Sequence, residues 1–230
     1  YTAASTALSA QELQQTVSTA IQNYATQYLG QFGSYFRYSQ LSRVIDNAEV
    51  SIQSNMSSVL LEKKFRVDTG ASSYVLNFAN PLFASGTSTG LGGYTSANGV
   101  VSVSSKIGTQ TFSHIDDVGF VQKFCWVENN GTTLNVYKTD ANNTTITVKS
   151  NVGVVDFASG KVTFTNFSPR AITTNLINEL RLRAIPLNSD ITPNRSQIIL
   201  LPAENIKISI VEDLLNRRNT TTGRSNFAGQ

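Results

Sequence analysis

The chain has 230 residues, 40% of them hydrophobic and only 14% charged, with a formal net charge of +3 at pH 7. Typical globular chains carry about 25% charged residues, so Ser, Thr, Asn and Gln supply most of the polar surface here. The length allows one large domain or two modest ones, while a single cysteine, Cys125, excludes a disulfide framework and a cysteine-based zinc site, and no apolar run reaches membrane-spanning length.

An uncharged polar surface suits a protein that lives in assemblies, where buried charge is costly; a secreted β-protein has the same composition. The basic residues are scattered, as Lys63-Lys64-Arg66, Arg181/Arg183 and Arg217-Arg218. They form no dense stripe interleaved with aromatics, so neither nucleic acid nor membrane is an expected partner. No signal peptide is visible. The chain begins at Tyr1 and its only methionine is Met56, so a fragment or processed product is expected.

Ser9 and Glu12 form an S-x-x-E capping box, in which each side chain satisfies the other's backbone amide. Leu13, Val17, Ala20, Ile21, Tyr24 and Tyr28 follow at helical spacing, which predicts a helix from about Ala10 to Tyr28 ended by Gly30 and Gly33. Its stripe serves either the chain's own core or a partner helix. Phe32, Tyr35, Phe36 and Tyr38 then cluster around Arg37. Aromatics and Arg dominate interface hot spots; the alternative is packing of the helices over a sheet. Ser39 reads as the N-cap of a second helix, with Leu41, Val44, Ile45 and Ala48 on one face.

From Ser58 the period becomes two. Val59, Leu61, Phe65 and Val67 share one face, with Leu60 and Lys63 out of step. Asp68-Thr69-Gly70 is a turn, and a hairpin of 58–67 with 73–79 is expected. Residues 85–99 read as a loop; Gly90, Gly92 and Gly93 lack the Lys-Ser/Thr of a phosphate loop. Strands are predicted at Val100–Ser105, Thr111–Ile115, Gly119–Val127, Thr133–Tyr137, Thr144–Lys149, Val152–Asp156 and Lys161–Asn166, the last two joined by a Ser-Gly turn with Val162, Phe164 and Asn166 on one face. A strand with a basic face follows at 180–185, then apolar strands at 197–201 and 206–211. The Arg-bearing end reads as a tail.

No constellation points to catalysis. His114 is the only histidine. It stands next to Asp116 and Asp117, but no nucleophile motif accompanies it. Asp140-Ala141-Asn142-Asn143 lacks the Gly and terminal Glu of a calcium loop and reads as a turn. No cofactor and no catalytic or metal site is expected, so the chain is read as non-enzymatic. The scattered Asn-x-Ser/Thr triplets are what so Ser/Thr-rich a chain contains by chance.

Three pieces carry a family resemblance. The pattern Tyr38-Ser39-x-Leu41-x-x-x-Ile45-Asp46-x-Ala48-x-x-x-Ile52-x-Ser54-Asn55 resembles the baseplate wedge proteins of T-even-like contractile-tailed phages, within the broader baseplate J-like group. The run Val152-Gly153-Val154-Val155-Asp156-Phe157-Ala158-Ser159-Gly160-Lys161-Val162 resembles that group's G-x-V-D-Y-x-T-G-x-V hairpin, with Phe157 and Ser159 for Tyr and Thr. The strand at 180–186 followed by 194–201 suits the same group's carboxy-terminal part.

The resemblance implies a structural subunit of the virion tail baseplate, assembled in the host cytoplasm. Such subunits pair with a second copy, link into a ring around the central hub, bind other wedge subunits and take part in the rearrangement that triggers sheath contraction. The rivals are a secreted or tail-fibre-like carbohydrate-binding β module and a hydrolase using His114.

The expected fold is α+β: short N-terminal helices followed by a mostly antiparallel β region with an inserted β-rich section. Its parts are a helical lead-in over 1–56, a mixed sheet domain over 57–83 and 171–215, an inserted β-rich domain over 84–170 and a flexible tail over 216–230. The expected contact residues are Phe32, Tyr35, Phe36, Tyr38, Arg217, Arg218 and Arg224. Asp46 and Glu49 sit at a helix end that disfavours carboxylates. They are expected to meet Arg181, Arg183 or a neighbour's arginine.

Overall fold

The computed structural model describes residues 1–68, 70, 72–84, 107–116, 118–172, 179–193 and 197–213. The predicted strand Val100–Ser105 and loop 85–99 lie outside them. The chain forms two compact units, one of Tyr1–Ser57 with residues 197–213 and one holding the described residues between 58 and 193. Two short helices and an antiparallel sheet make it an α+β chain with a β-rich region.

In the helical unit, α1 spans Ala10–Tyr28. Ser9 caps it: Glu12 N donates to Ser9 Oγ (3.3 Å) and Ser9 N to Glu12 Oε2 (2.7 Å), as the capping box predicts. Leu13, Val17, Ile21 and Tyr24 form its buried stripe. The second helix, α2, spans Tyr38–Asp46, with Leu41 and Ile45 buried. Its N-cap is Arg37, not Ser39. Tyr38 is drawn into the first turn, where its hydroxyl donates to Ser57 O (3.1 Å). Residues 197–213 bond to this unit: Gly30 N donates to Ile199 O (3.0 Å) and Gln14 Nε2 to Ile208 O (3.0 Å). The strands expected at 197–201 and 206–211 have no ladder.

The sheet unit contains β1 (Leu61–Arg66), β2 (Ser72–Asn77), β3 (Gly108–Thr109), β4 (Phe112–Ile115), β5 (Val121–Asn130), β6 (Thr133–Thr139), β7 (Thr145–Asp156), β8 (Lys161–Phe167), β9 (Pro169–Ile172) and β10 (Glu179–Ala184). They run in the order β1-β10-β3-β5-β6-β7-β8-β2, with β4 between β5 and β9 off that path, and every described pairing is antiparallel. The expected hairpin of β1 with β2 is absent. β1 pairs with β10 and β2 with β8. Leu180, Leu182 and Ala184 face the core, and the basic face of β10 meets Glu62: Arg183 Nε lies 2.9 Å and Arg181 Nη1 3.8 Å from its carboxylate.

The two strands expected at 144–149 and 152–156 are one, β7. Asn151 interrupts it with φ 57°, and its N–H donates to Asn135 Oδ1 (2.9 Å). Asn tolerates this left-handed conformation better than most residues. Asn166 in β8 does the same (φ 52°), and the register of β2 on β8 shifts there. That bulge leaves Asn166 exposed and turns Phe167 into the core. Phe167 therefore takes the inward place that simple alternation gives to Asn166.

Candidate interaction surface

The stretch Tyr38 to Ser57 is held by side chains rather than by a ladder. Asn55 Nδ2 donates to Asp46 Oδ1 (2.6 Å), Ser42 Oγ (3.0 Å) and Ser42 O (3.2 Å), and Asn55 Oδ1 accepts from Ser57 Oγ (2.9 Å). This one amide clamps the chain after α2 back onto its last turns. Glu49 accepts from the amide and hydroxyl of Ser51. The Ser51 hydroxyl holds the Glu49 carboxyl below its ordinary range against the opposing effect of burial, and the Ser51 amide and the Thr6 hydroxyl add smaller pulls the same way. That contribution is present at neutral pH and is lost as pH falls through the lowered value.

Within the chain, Asp46 is met by Asn55 and Glu49 by Ser51 and Thr6, while the Arg181 and Arg183 expected there face Glu62. A neighbouring amide or hydroxyl satisfies a carboxylate at a helix end without desolvating a second charge. Asn55→Ala is expected to destabilise the helical unit by about 1–3 kcal/mol, the range for stranding buried or half-buried polar partners. Faster hydrogen exchange at the α2 amides, with that of β7 unchanged, would register it.

The loop between the helices turns at Gly30 and Gly33, which have φ 82° and 81°. Phe36 is 5% exposed and meets Tyr24 edge-on at 6.2 Å, so it packs the unit's own core. Tyr38 is half-buried and tied to Ser57. Phe32 (70% exposed) and Tyr35 (51%) face solvent, and the Arg37 guanidinium lies over the Tyr35 ring at 4.7 Å. Tyr28, beside them at the end of α1, is also exposed. Of the expected contact residues, Arg217, Arg218 and Arg224 lie outside the described residues.

The sheet unit shows a second apolar surface that sequence reasoning missed. Val118, Phe120, Val121 and Phe124 are all exposed. Asp116 holds this hairpin tip rigid: Oδ1 accepts from Val118 N (3.1 Å) and Phe120 N (2.8 Å), and Oδ2 from Gln122 Nε2 (2.7 Å). Phe124 has φ 57° where the register of β4 on β5 shifts. The bulge points its ring outward beside buried Cys125, and burial pushes the Cys125 thiol pKa up. Nothing in the spacing of Phe120, Phe124 and Trp126 signals which ring the bulge exposes.

His114 is fully buried between Phe112 and Phe167, and its Nε2 accepts from Ser168 N (3.2 Å). Asp116 is engaged by its own loop, and Asp117 lies outside the described residues. Asp140 organises a tight turn, its Oδ1 accepting from Asn142 N (2.9 Å) and Thr144 N (2.8 Å). Among the described residues no group of three or more His, Cys, Asp or Glu side chains is placed to hold a metal ion, and no helix is long and apolar enough to cross a membrane. A groove on the helical unit is lined by Gln11, Gln14, Gln15, Ser18, Ile206 and Ile208.

A search of the curated proteins returns no match. Residues 1–64 of the 230 match the family model for baseplate structural protein gp6, C-terminal domain III, a stretch that holds both helices, the Asn55 clamp and the aromatic loop. That match supports a structural role in a phage tail baseplate.

Proposed function

We propose that the chain is a wedge subunit of the baseplate of a contractile-tailed phage, assembled in the host cytoplasm, which associates with itself and with other wedge subunits into a ring around the hub. Its part in sheath contraction is a rearrangement of those contacts, with no chemistry of its own and no nucleic-acid or membrane partner. One observation carries the reading: the 1–64 match contains the Tyr38-to-Asn55 signature, and Tyr38, Asp46 and Asn55 of that signature each have a structural partner. A scaffold needs this sort of rigid, side-chain-clamped unit. The low charge fits surfaces that become buried in an assembly.

The contact proposed first is the exposed pair Phe32 and Tyr35, with Arg37 stacked on Tyr35. Arg217, Arg218 and Arg224 are proposed as a second. Replacing Phe32 and Tyr35 together by alanine is expected to weaken self-association by at least about tenfold, the scale of an aromatic hot spot. Thermal unfolding should hardly move, since exposed side chains contribute little to the fold. Sedimentation velocity across a concentration series measures the first and a melting curve the second. Association unchanged in the double variant would remove the aromatic loop from the interface.

A further inference from the structure

Residues 206–211 have the pattern of a strand and, among the described residues, no strand beside them. Ile206, Ile208 and Ile210 are half-buried while Lys207, Ser209 and Val211 are exposed, the alternation of a strand with one covered face. In extended backbone a residue's N–H and C=O lie on the same edge, so odd and even residues own opposite edges. The odd edge is partly covered: Tyr1 N donates to Val211 O (2.9 Å) and Asp213 N to Tyr1 O (2.7 Å). On the even edge Gln14 Nε2 reaches Ile208 O. The N–H groups of Ile208 and Ile210 and the carbonyl of Ile210 have no partner among the described residues. Ile206 and Ile208 also line, with the glutamines of α1, a groove of about 260 Å³.

Unpaired donors and acceptors along an extended edge are a template for another strand. We propose that this edge pairs with the same segment of a second copy, antiparallel about a two-fold axis through Ile210. The proposal rests on the self-association put forward above and names a surface for it.

Charge selects the register. Pairing about Ile210 sets Lys207 opposite Asp213 of the second copy, twice by symmetry, with Ser209 opposite Val211, Ile208 opposite Glu212 and Ile210 opposite itself. Opposite charges across a ladder stabilise it and like charges oppose it. A parallel in-register pairing would stack Lys207 on Lys207, and an antiparallel pairing about Ser209 would set Lys207 against Val211. A two-fold contact of this kind closes at two copies, which leaves the aromatic loop to join one pair to the next.

Hydrogen–deuterium exchange on the full chain over a dilution series, read beside sedimentation, tests the pairing. Where the chain associates, the Ile208 and Ile210 amides are expected to exchange at least about tenfold more slowly than in the dilute monomer. Lys207→Glu and Asp213→Lys should each weaken association about tenfold, and the two together should restore it to within about threefold. Association with both amides still exchanging at the monomer rate would overturn the strand pairing and leave self-association through another surface standing. A chain that stays monomeric at every concentration would overturn both.

Discussion

Phe167→Ala is expected to destabilise the sheet unit by about 3–5 kcal/mol, the largest single effect among its side chains. The Phe167 ring is fully buried and stands at the centre of an aromatic cluster. Its centroid lies 4.9 Å from that of Phe164, 5.4 Å from Phe112, 5.4 Å from His114 and 6.4 Å, edge-on, from Tyr74. These neighbours come from β2, β4 and β8, so no single strand can move in to fill the space. The loss therefore combines the transfer term with a cavity that stays open. The only tryptophan, Trp126, lies in β5, so its fluorescence during urea unfolding reports on this unit. A midpoint that drops with an unchanged slope is the expected signature. A loss below about 1 kcal/mol would mean that the cluster collapses around the gap and that Phe167 is not its keystone.

The same residue shows where sequence reading stops. Val162 and Phe164 were legible as inward-facing because alternation needs only local spacing. Phe167 was not, because the bulge at Asn166 inserts a residue and reverses the count. Phe124 escaped for the same reason, and with it the exposed tip at Val118 and Phe120. Helix α1 was readable to its ends, since Ser9, Glu12 and the stripe are all local signals. The start of α2 was not: with a tertiary bond from Tyr38 to Ser57, the helix takes in two more residues than the Ser39 cap suggests. Pairing was the least legible feature. The Asp68-to-Gly70 turn suggests a local hairpin, yet β1 finds its partner in β10, over a hundred residues away in sequence. Residues 206–211 have the composition of a strand, but spacing says nothing about where a partner lies. For the contact surface, spacing gathered Phe32 to Tyr38 into one cluster, and only packing against Tyr24 separates buried Phe36 from exposed Phe32 and Tyr35.

Gly160→Ala is expected to destabilise the sheet unit by more than about 3 kcal/mol, because strain and collision act together. Gly160 has φ +71°, where any other L-residue is disfavoured by about 1–2 kcal/mol. An alanine Cβ there would also lie 2.0 Å from Asn80 O and 3.0 Å from its carbonyl carbon. Backbone cannot swing aside as a flexible side chain can, and this backbone is pinned: Phe78 N donates to Gly160 O (2.9 Å) and Leu82 N to Phe157 O (2.8 Å). The turn after β7 is thus the seat on which residues 78–82 are fixed. Gly153 has the same crowding in the ladder itself, with a would-be Cβ 2.3 Å from Thr163 O. Asp156 completes the turn by accepting from Ser159 Oγ (2.5 Å) and from the amides of Ala158 and Ser159. The Ser159 hydroxyl holds the Asp156 carboxyl below its ordinary range, so this support is lost only as pH falls through that lowered value. Ser159→Ala should therefore cost far less than Gly160→Ala under the same Trp126-detected unfolding, with the gap between them widening in acid as the Asp156 support is lost from the parent chain too. Equal losses for the two variants would show that the turn is held by its hydrogen bonds and not by the close approach to Asn80.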